Sequence, residues 1–118
     1  MLEQIREYCL QKPGVTEDMK WGDHLVFSVG LKMFAIFGLD QTPINASIKI
    51  DPEKFEERCQ EDRFYPAPYL ARDTWVGTSD LENLTWNEWK TFLDEAYQLK
   101  FKRLSKKLQL QLLETGNR

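Results

Sequence analysis

The most regular pattern in the chain runs from Ile44 to Ile50. There Ile44, Ala46, Ile48 and Ile50 alternate with Asn45, Ser47 and Lys49. A period of two sends successive side chains to opposite faces of a strand, so this run predicts a β-strand with the isoleucines inward and Lys49 outward. Two earlier runs are apolar at nearly every position. Leu25, Phe27 and Val29 alternate with Val26 and Ser28, and Met33, Ala35 and Phe37 alternate with Phe34 and Ile36. Gly30-Leu31 between them predicts a two-residue hairpin turn of type II′, with glycine supplying positive φ at the first loop position. Apolar residues on both faces predict a central hairpin covered by helices on one side and by something else on the other. Thr16–Trp21 is an acidic, weakly strand-like segment, and Thr74–Thr78 reads as a short strand.

Elsewhere the period is helical. Leu2, Ile5 and Cys9, with Tyr8, form a stripe opposite Glu3, Arg6 and Glu7, and Pro13-Gly14 stops that helix. Asp51-Pro52 opens a second helix reaching about Gln60, because Asp caps free amides and Pro is preset for the first helical position. Phe55 and Cys59 lie one turn apart on its inner face. Residues 61–72, with Pro66 and Pro68, form a loop. Thr85-x-x-Glu88 is a capping box. It starts the strongest helix, whose buried stripe is Trp86, Trp89, Phe92, Leu93, Ala96 and Tyr97. Leu104, Leu108 and Leu112 continue the amphipathic pattern toward the C-terminus. The order is α, three or four strands, α, one or two strands, α. Short turns between strands require an antiparallel sheet, so the pattern predicts a two-layer α+β domain with helices mostly on one face.

Composition narrows the class. The 118 residues suit one domain, and 42% hydrophobic with 30% charged is a globular balance. No apolar run is long enough to span a membrane. The N-terminus carries Glu3 and Glu7 where a secretion signal needs positive charge, so a cytoplasmic protein is expected, with Cys9 and Cys59 as reduced thiols. The net charge of −3 is unevenly spread. Residues 100–118 hold six basic side chains against Glu114 alone, a local +5, which leaves −8 on the first 99 residues.

The chain's punctuation resembles the MmcQ/YjbR family. The resemblance rests on Arg6-Glu7-Tyr8-Cys9-Leu10, Lys12-Pro13-Gly14-Val15-Thr16-Glu17-Asp18, Trp21-Gly22, Phe27-Ser28-Val29-Gly30-Leu31-Lys32-Met33-Phe34-Ala35 and Ser47-Ile48-Lys49-Ile50-Asp51-Pro52-Glu53. It continues through Pro66-Ala67-Pro68-Tyr69-Leu70-Ala71-Arg72, Thr74-Trp75-Val76 and Leu104-Ser105-Lys106-Lys107. It covers residues 1–107 and leaves 108–118 as a C-terminal helical extension or frayed tail. It implies an α-β-β-β-α-β-β-α domain with an antiparallel sheet, similar also to secretion chaperones. Its functional implication is a non-enzymatic, double-wing DNA-binding protein. The chain departs from the family pattern at Pro68–Arg72, where many members have Gly-Tyr-His-Leu-Asn-Lys, and at Thr74, where many have His before Trp. Ser105 replaces a common Pro, which favours a continuous C-terminal helix.

Candidate chemistry is sparse. His24 is the only histidine and has no nucleophile placed beside it, so a solvated turn residue is expected. One His and two distant Cys match no zinc spacing, and Glu17-Asp18 with Asp23 lacks a calcium-loop pattern. No phosphate-cradling glycine motif appears, and no cofactor is expected. Trp75, after the Pro-rich loop, is the one aromatic residue considered for a groove lining. The candidate contacts to double-stranded DNA are Lys32 at the hairpin turn, Lys49, Arg72, Lys100, Lys102, Arg103, Lys106 and Lys107. These would position a duplex through its phosphates. The plainer reading is a solvated basic helix end complementing the helix dipole. A third expectation is a homodimer or protein partner held by the stripe Leu104, Leu108, Leu112 and Leu113.

Overall fold

The computed structural model describes residues 1–115. The expectations placed on residues 116–118, including the charge of Arg118, lie outside them. The described residues form a six-stranded sheet, antiparallel at every pairing. Its strands are β1 (Val15–Lys20), β2 (His24–Val29), β3 (Lys32–Gly38), β4 (Asn45–Lys49), β5 (Tyr65–Pro66) and β6 (Trp75–Thr78), in the spatial order β1-β2-β3-β4-β6-β5. The α+β architecture read from periodicity is therefore present, with four strands before the second helix where the family resemblance implies three. The weak acidic run is a full edge strand. Its Glu17 carboxylate accepts two hydrogen bonds from Arg6, at 2.7 and 2.6 Å. Charged residues on β1, and the shortness and proline of β5, blunt both sheet edges against pairing with another chain.

Helices α1 (Leu2–Leu10) and α3 (Trp86–Phe101) cover one sheet face. The main core lies between them and the inward set Leu25, Phe27, Val29, Ala35, Phe37, Ala46, Ile48 and Ile50. The Thr85 hydroxyl accepts from Glu88 N–H and the Glu88 carboxylate from Thr85 N–H, so the capping box forms as predicted. Trp89 is wholly buried and its indole N–H donates to the Leu81 carbonyl at 2.8 Å. Cys9 is buried, Cys59 half-buried, and both thiols are free. Burial pushes the Cys9 thiol up to about 12, which keeps it protonated and inert.

The opposite face is sheltered by the loop the sequence left without periodicity. Ala67 and Leu70 descend from it onto Val26, Ile36 and Trp75, forming a second, smaller apolar cluster. A 3₁₀ turn at Ala71–Asp73 returns the chain to β6.

Three local expectations are corrected. Helix α2 spans only Phe55–Cys59, because Asp51 Oδ1 accepts from Glu53 N–H and holds the preceding residues in a turn. The expected continuous C-terminal helix breaks after Phe101, and α4 (Lys106–Thr115) starts anew with Ser105 Oγ accepting from Leu108 N–H. The β2–β3 turn has positive φ at both Gly30 (54°) and Leu31 (69°), the requirement of type I′ rather than II′. Glycine suits Gly30 doubly, since a Cβ there would stand 2.6 Å from the Leu104 side chain. Leu31, 96% exposed, makes no compensating contact for its left-handed backbone.

Replacing Leu31 by Asn, which tolerates left-handed φ, should stabilise the domain by roughly 1 kcal/mol. Urea unfolding checks this, and a lowered midpoint would show that the left-handed backbone at Leu31 is not a source of strain.

Candidate functional site

Two regions gather functional side chains. The first is the basic end. Gly30 meets Leu104, so the β2–β3 turn abuts the corner between α3 and α4. That contact brings the segment of Lys32 to the segment of Lys102, Arg103, Lys106 and Lys107. Asp73 brings in the third segment, which contains Arg72. Its carboxylate accepts from Lys100 Nζ at 2.9 Å and from Arg103 Nη2 at 3.5 Å. Lys32, Arg72, Lys102, Arg103, Lys106 and Lys107 are exposed.

Lys49 and Lys100 are not. Lys49 does lie on the face opposite the isoleucines, but that face is covered and its side chain is 1% exposed. Its ammonium donates to the Asp73 carbonyl and to Thr74 Oγ1 (2.7 Å), with Asp73 Oδ1 at 3.4 Å. Burial pulls the Lys49 ammonium below its usual value, and the Asp73 charge opposes that. Lys100 is buried, with its ammonium over the Trp75 ring at 5.9 Å from the ring centre. Both lysines therefore act as internal partners of Asp73 and are withdrawn from a phosphate backbone. Partial burial would raise the Asp73 carboxyl, but Lys100 first, then Lys49 and Arg103, hold it well below the usual carboxylate range.

The leucine stripe is also largely used within the domain. Leu104 is buried, and Leu108 and Leu112 pack on the main core. Leu113 and Leu110 stay exposed.

The second region is a groove of about 590 Å³ on the outer sheet face, at the end remote from the β2–β3 turn. Its floor is built by register: His24 pairs with Gly38, Gly38 with Asn45, and Ser47 with Gly77, which pairs with Tyr65. Side chains of one such row share a face. Two glycines keep the floor open. A Cβ on Gly38 would collide with Asn45 Oδ1, and one on Gly77 with the Tyr65 ring. Trp21, from the β1–β2 turn, forms one rim, and Pro68-Tyr69-Leu70 forms the other.

Trp75, the expected groove lining, is absent from this groove. It is 2% exposed beneath Ala67 and Leu70, and its indole N–H reaches Asp73 Oδ2 at 3.4 Å. Nor is His24 a solvated turn residue. It begins β2, half-buried, with Trp21 edge-on at 6.0 Å. Among the described residues its Nδ1 is the one shielded side-chain nitrogen or oxygen without a hydrogen-bond partner.

The rim carries backbone strain. Trp21 (φ 50°) and Tyr69 (φ 66°) are two of the four non-glycine residues with positive φ among those described. Leu70 N–H donates to the Ala67 carbonyl, closing a turn with Pro68 second and Tyr69 third. That third position of a type II turn ordinarily takes glycine or asparagine. Sequence reasoning missed Trp21, Tyr65 and Tyr69, although Gly38 and Gly77 inside apolar strands are a signal of close approach. No cluster of three or more His, Cys, Asp or Glu side chains able to hold a metal occurs among the described residues, and no helix among them is long and apolar enough to cross a membrane.

The family model described as YjbR matches residues 10–99. A crystal structure of a Deinococcus radiodurans protein, described as a DUF419 domain, is similar over the whole chain. It has a TM-score of 0.84 and 27% identity, with 95% of that protein covered. A Pseudomonas syringae protein shares the fold at a TM-score of 0.67 and 20% identity, over 83% of this chain and 97% of its own. No curated protein matches the chain.

The charge cluster makes a pH-dependent prediction. Because the folded state depresses the Asp73 pKa, its stabilisation is complete above the unfolded value of about 3.9 and is lost as pH falls below it. Asp73→Asn should therefore lower stability by about 1–2 kcal/mol at neutral pH, a figure reduced for the half-exposed carboxylate. The difference from the parent should shrink below about pH 4. Urea unfolding across that range checks this, and a pH-independent difference would assign the loss to packing instead.

Proposed function

The chain belongs to the YjbR family, and from that premise we propose that it is a non-enzymatic DNA-binding protein that meets the duplex backbone with its basic end. One observation carries the reading: six exposed cations from three segments distant in sequence gather where the β2–β3 turn, the Ala71–Asp73 turn and the α3–α4 corner meet. The hairpin turn with Lys32 serves as a wing along the duplex, and Arg72 and the corner lysines reach neighbouring phosphates. Such contacts give position without base recognition. Lys49 and Lys100 serve indirectly, by anchoring through Asp73 the turn that presents Arg72.

Charge separation orients the approach. The first 99 residues carry −8, so a polyanion repels most of the molecule and attracts this end, which is electrostatic steering. The competing reading, a dimerising module, retains Leu110 and Leu113 as its exposed leucines on α4, because Leu104, Leu108 and Leu112 are already packed.

If the reading holds, affinity for any duplex falls steeply with salt, with a log–log slope no steeper than about −5 for six phosphate contacts. Lys32→Glu or Lys102→Glu should weaken binding evenly across sequences and flatten the slope by about 1 each. Electrophoretic shifts over a salt series measure both. No complex at low salt with high micromolar protein would refute the proposal, and a dimer in sedimentation dissolved by Leu110→Asp and Leu113→Asp would favour the competitor.

A further inference from the structure

Independently of the basic end, we infer that the groove between Trp21 and Tyr69 is a binding site for an uncharged nitrogen heterocycle of nucleobase or nucleoside size. Its volume, about 590 Å³, lies within the range of small-molecule sites, roughly 300–1,000 Å³. The walls set the ligand's shape. Trp21, Tyr65 and Tyr69 offer aromatic faces, and flat π-surfaces favour a planar ring by stacking.

The floor sets its polarity. Asn45 presents an amide with donor and acceptor side by side, Ser47 a hydroxyl, and His24 an imidazole. The paired edge of an amide complements the alternating donors and acceptors along the rim of a nucleobase. None of the lining side chains carries a fixed positive or negative charge, and a charged ligand entering a half-enclosed apolar groove without a counter-charge would incur an unrelieved desolvation cost. Lys20, which pairs with His24 in the strand register, is a cation beside that row but not part of the lining. The ligand is therefore a free base or nucleoside and not its phosphate ester.

Two further observations support a site over an idle depression. Trp21 and Tyr69 hold left-handed backbones although neither is glycine, and Tyr69 is fully exposed while Trp21 is 65% exposed. Tyr69 thus recovers nothing by burial that would offset the strain, and Trp21 keeps only its edge contact with His24 and a minor share of its surface out of water. Strain kept at an exposed aromatic rim is what a ligand-facing role explains. Separately, the shielded Nδ1 of His24 lacks a partner. A half-turn of that ring, or displacement of the Trp21 indole set edge-on to it, presents the nitrogen to a bound heterocycle.

The test titrates the full chain with adenosine, following tryptophan fluorescence and calorimetric heat. Trp75 and Trp89 are buried and Trp86 half-buried, so Trp21 reports contact most directly. Saturable binding with a Kd on the order of 100 µM is expected for a ligand of this size. AMP should bind more weakly. The discriminating variant is Tyr69→Gly, which removes one wall while relieving the left-handed strain, so the protein stays folded. It should weaken adenosine roughly tenfold or more with an unchanged or raised Tm. Asn45→Ala should weaken adenosine but not naphthalene-like rings. The inference fails if no base or nucleoside binds at millimolar concentration, or if Tyr69→Gly leaves affinity intact. Equal binding of adenosine and an apolar bicyclic ring, AMP binding more tightly than adenosine, or an undiminished Asn45→Ala would each overturn the stated chemistry.

Discussion

A sheet with helices on one face leaves the other face to be dealt with, and here the burial of Lys49 decides how. An ammonium removed from water is costly unless it is paired and hydrogen-bonded. Lys49 obtains those partners from Asp73 and Thr74, at the end of the loop that crosses the outer face. The arrangement closes on itself. Thr74, with a left-handed backbone, donates its hydroxyl to the Ile50 carbonyl, and Ile50 N–H donates to the Thr74 carbonyl. Asp73 in turn ties down Lys100 from α3. One carboxylate thus joins β4, the outer-face loop and the main helix, and it places Trp75 beneath the loop as part of the outer cluster.

The outer face is divided as a result. Over Val26, Ile36 and Trp75 the loop lies down and excludes water. Farther along the same strands it stands off, its Pro68-Tyr69 turn facing Trp21 across an open floor. A covering that seals one half of a face and overhangs the other is a general way to form a groove on a sheet, since the strands supply a rigid base and the loops supply walls. The glycines at 38 and 77 belong to this design. Each omits a side chain so that Asn45 or Tyr65 can lie across the strand.

Charge follows the same geometry. The strong acidity of the first 99 residues and the basic C-terminal segment would average out in an unfolded chain. Folding separates them, because Leu104 docks on Gly30 and α4 lays Leu108 and Leu112 against the domain. The basic side chains then concentrate at the β2–β3 end while the groove, at the other end of the sheet, is lined by uncharged groups. The two candidate sites differ in chemistry and place, so occupation of one does not require the other.

What the sequence determined by itself was whatever depends on neighbours along the chain. Period two over Ile44–Ile50, the Thr85–Glu88 capping box, the Gly30 turn and the ordered family segments all express local backbone preferences, and together they specify an antiparallel α+β domain. Tertiary structure alone decided which alternating face is wet. Alternation assigns Lys49 to the face opposite Ile48, but it carries no information on a cover arriving from residues 61–73, a segment with no periodicity of its own. For that reason Lys49 and Lys100 moved from expected surface contacts to buried partners of Asp73, Trp75 from groove lining to apolar cluster, and His24 from solvated turn to groove floor. Leu108 and Leu112 likewise show a stripe that the sequence can see but cannot dock. Burial is a property of what comes to lie on top, and the residues that close over Lys49 stand more than twenty positions from it.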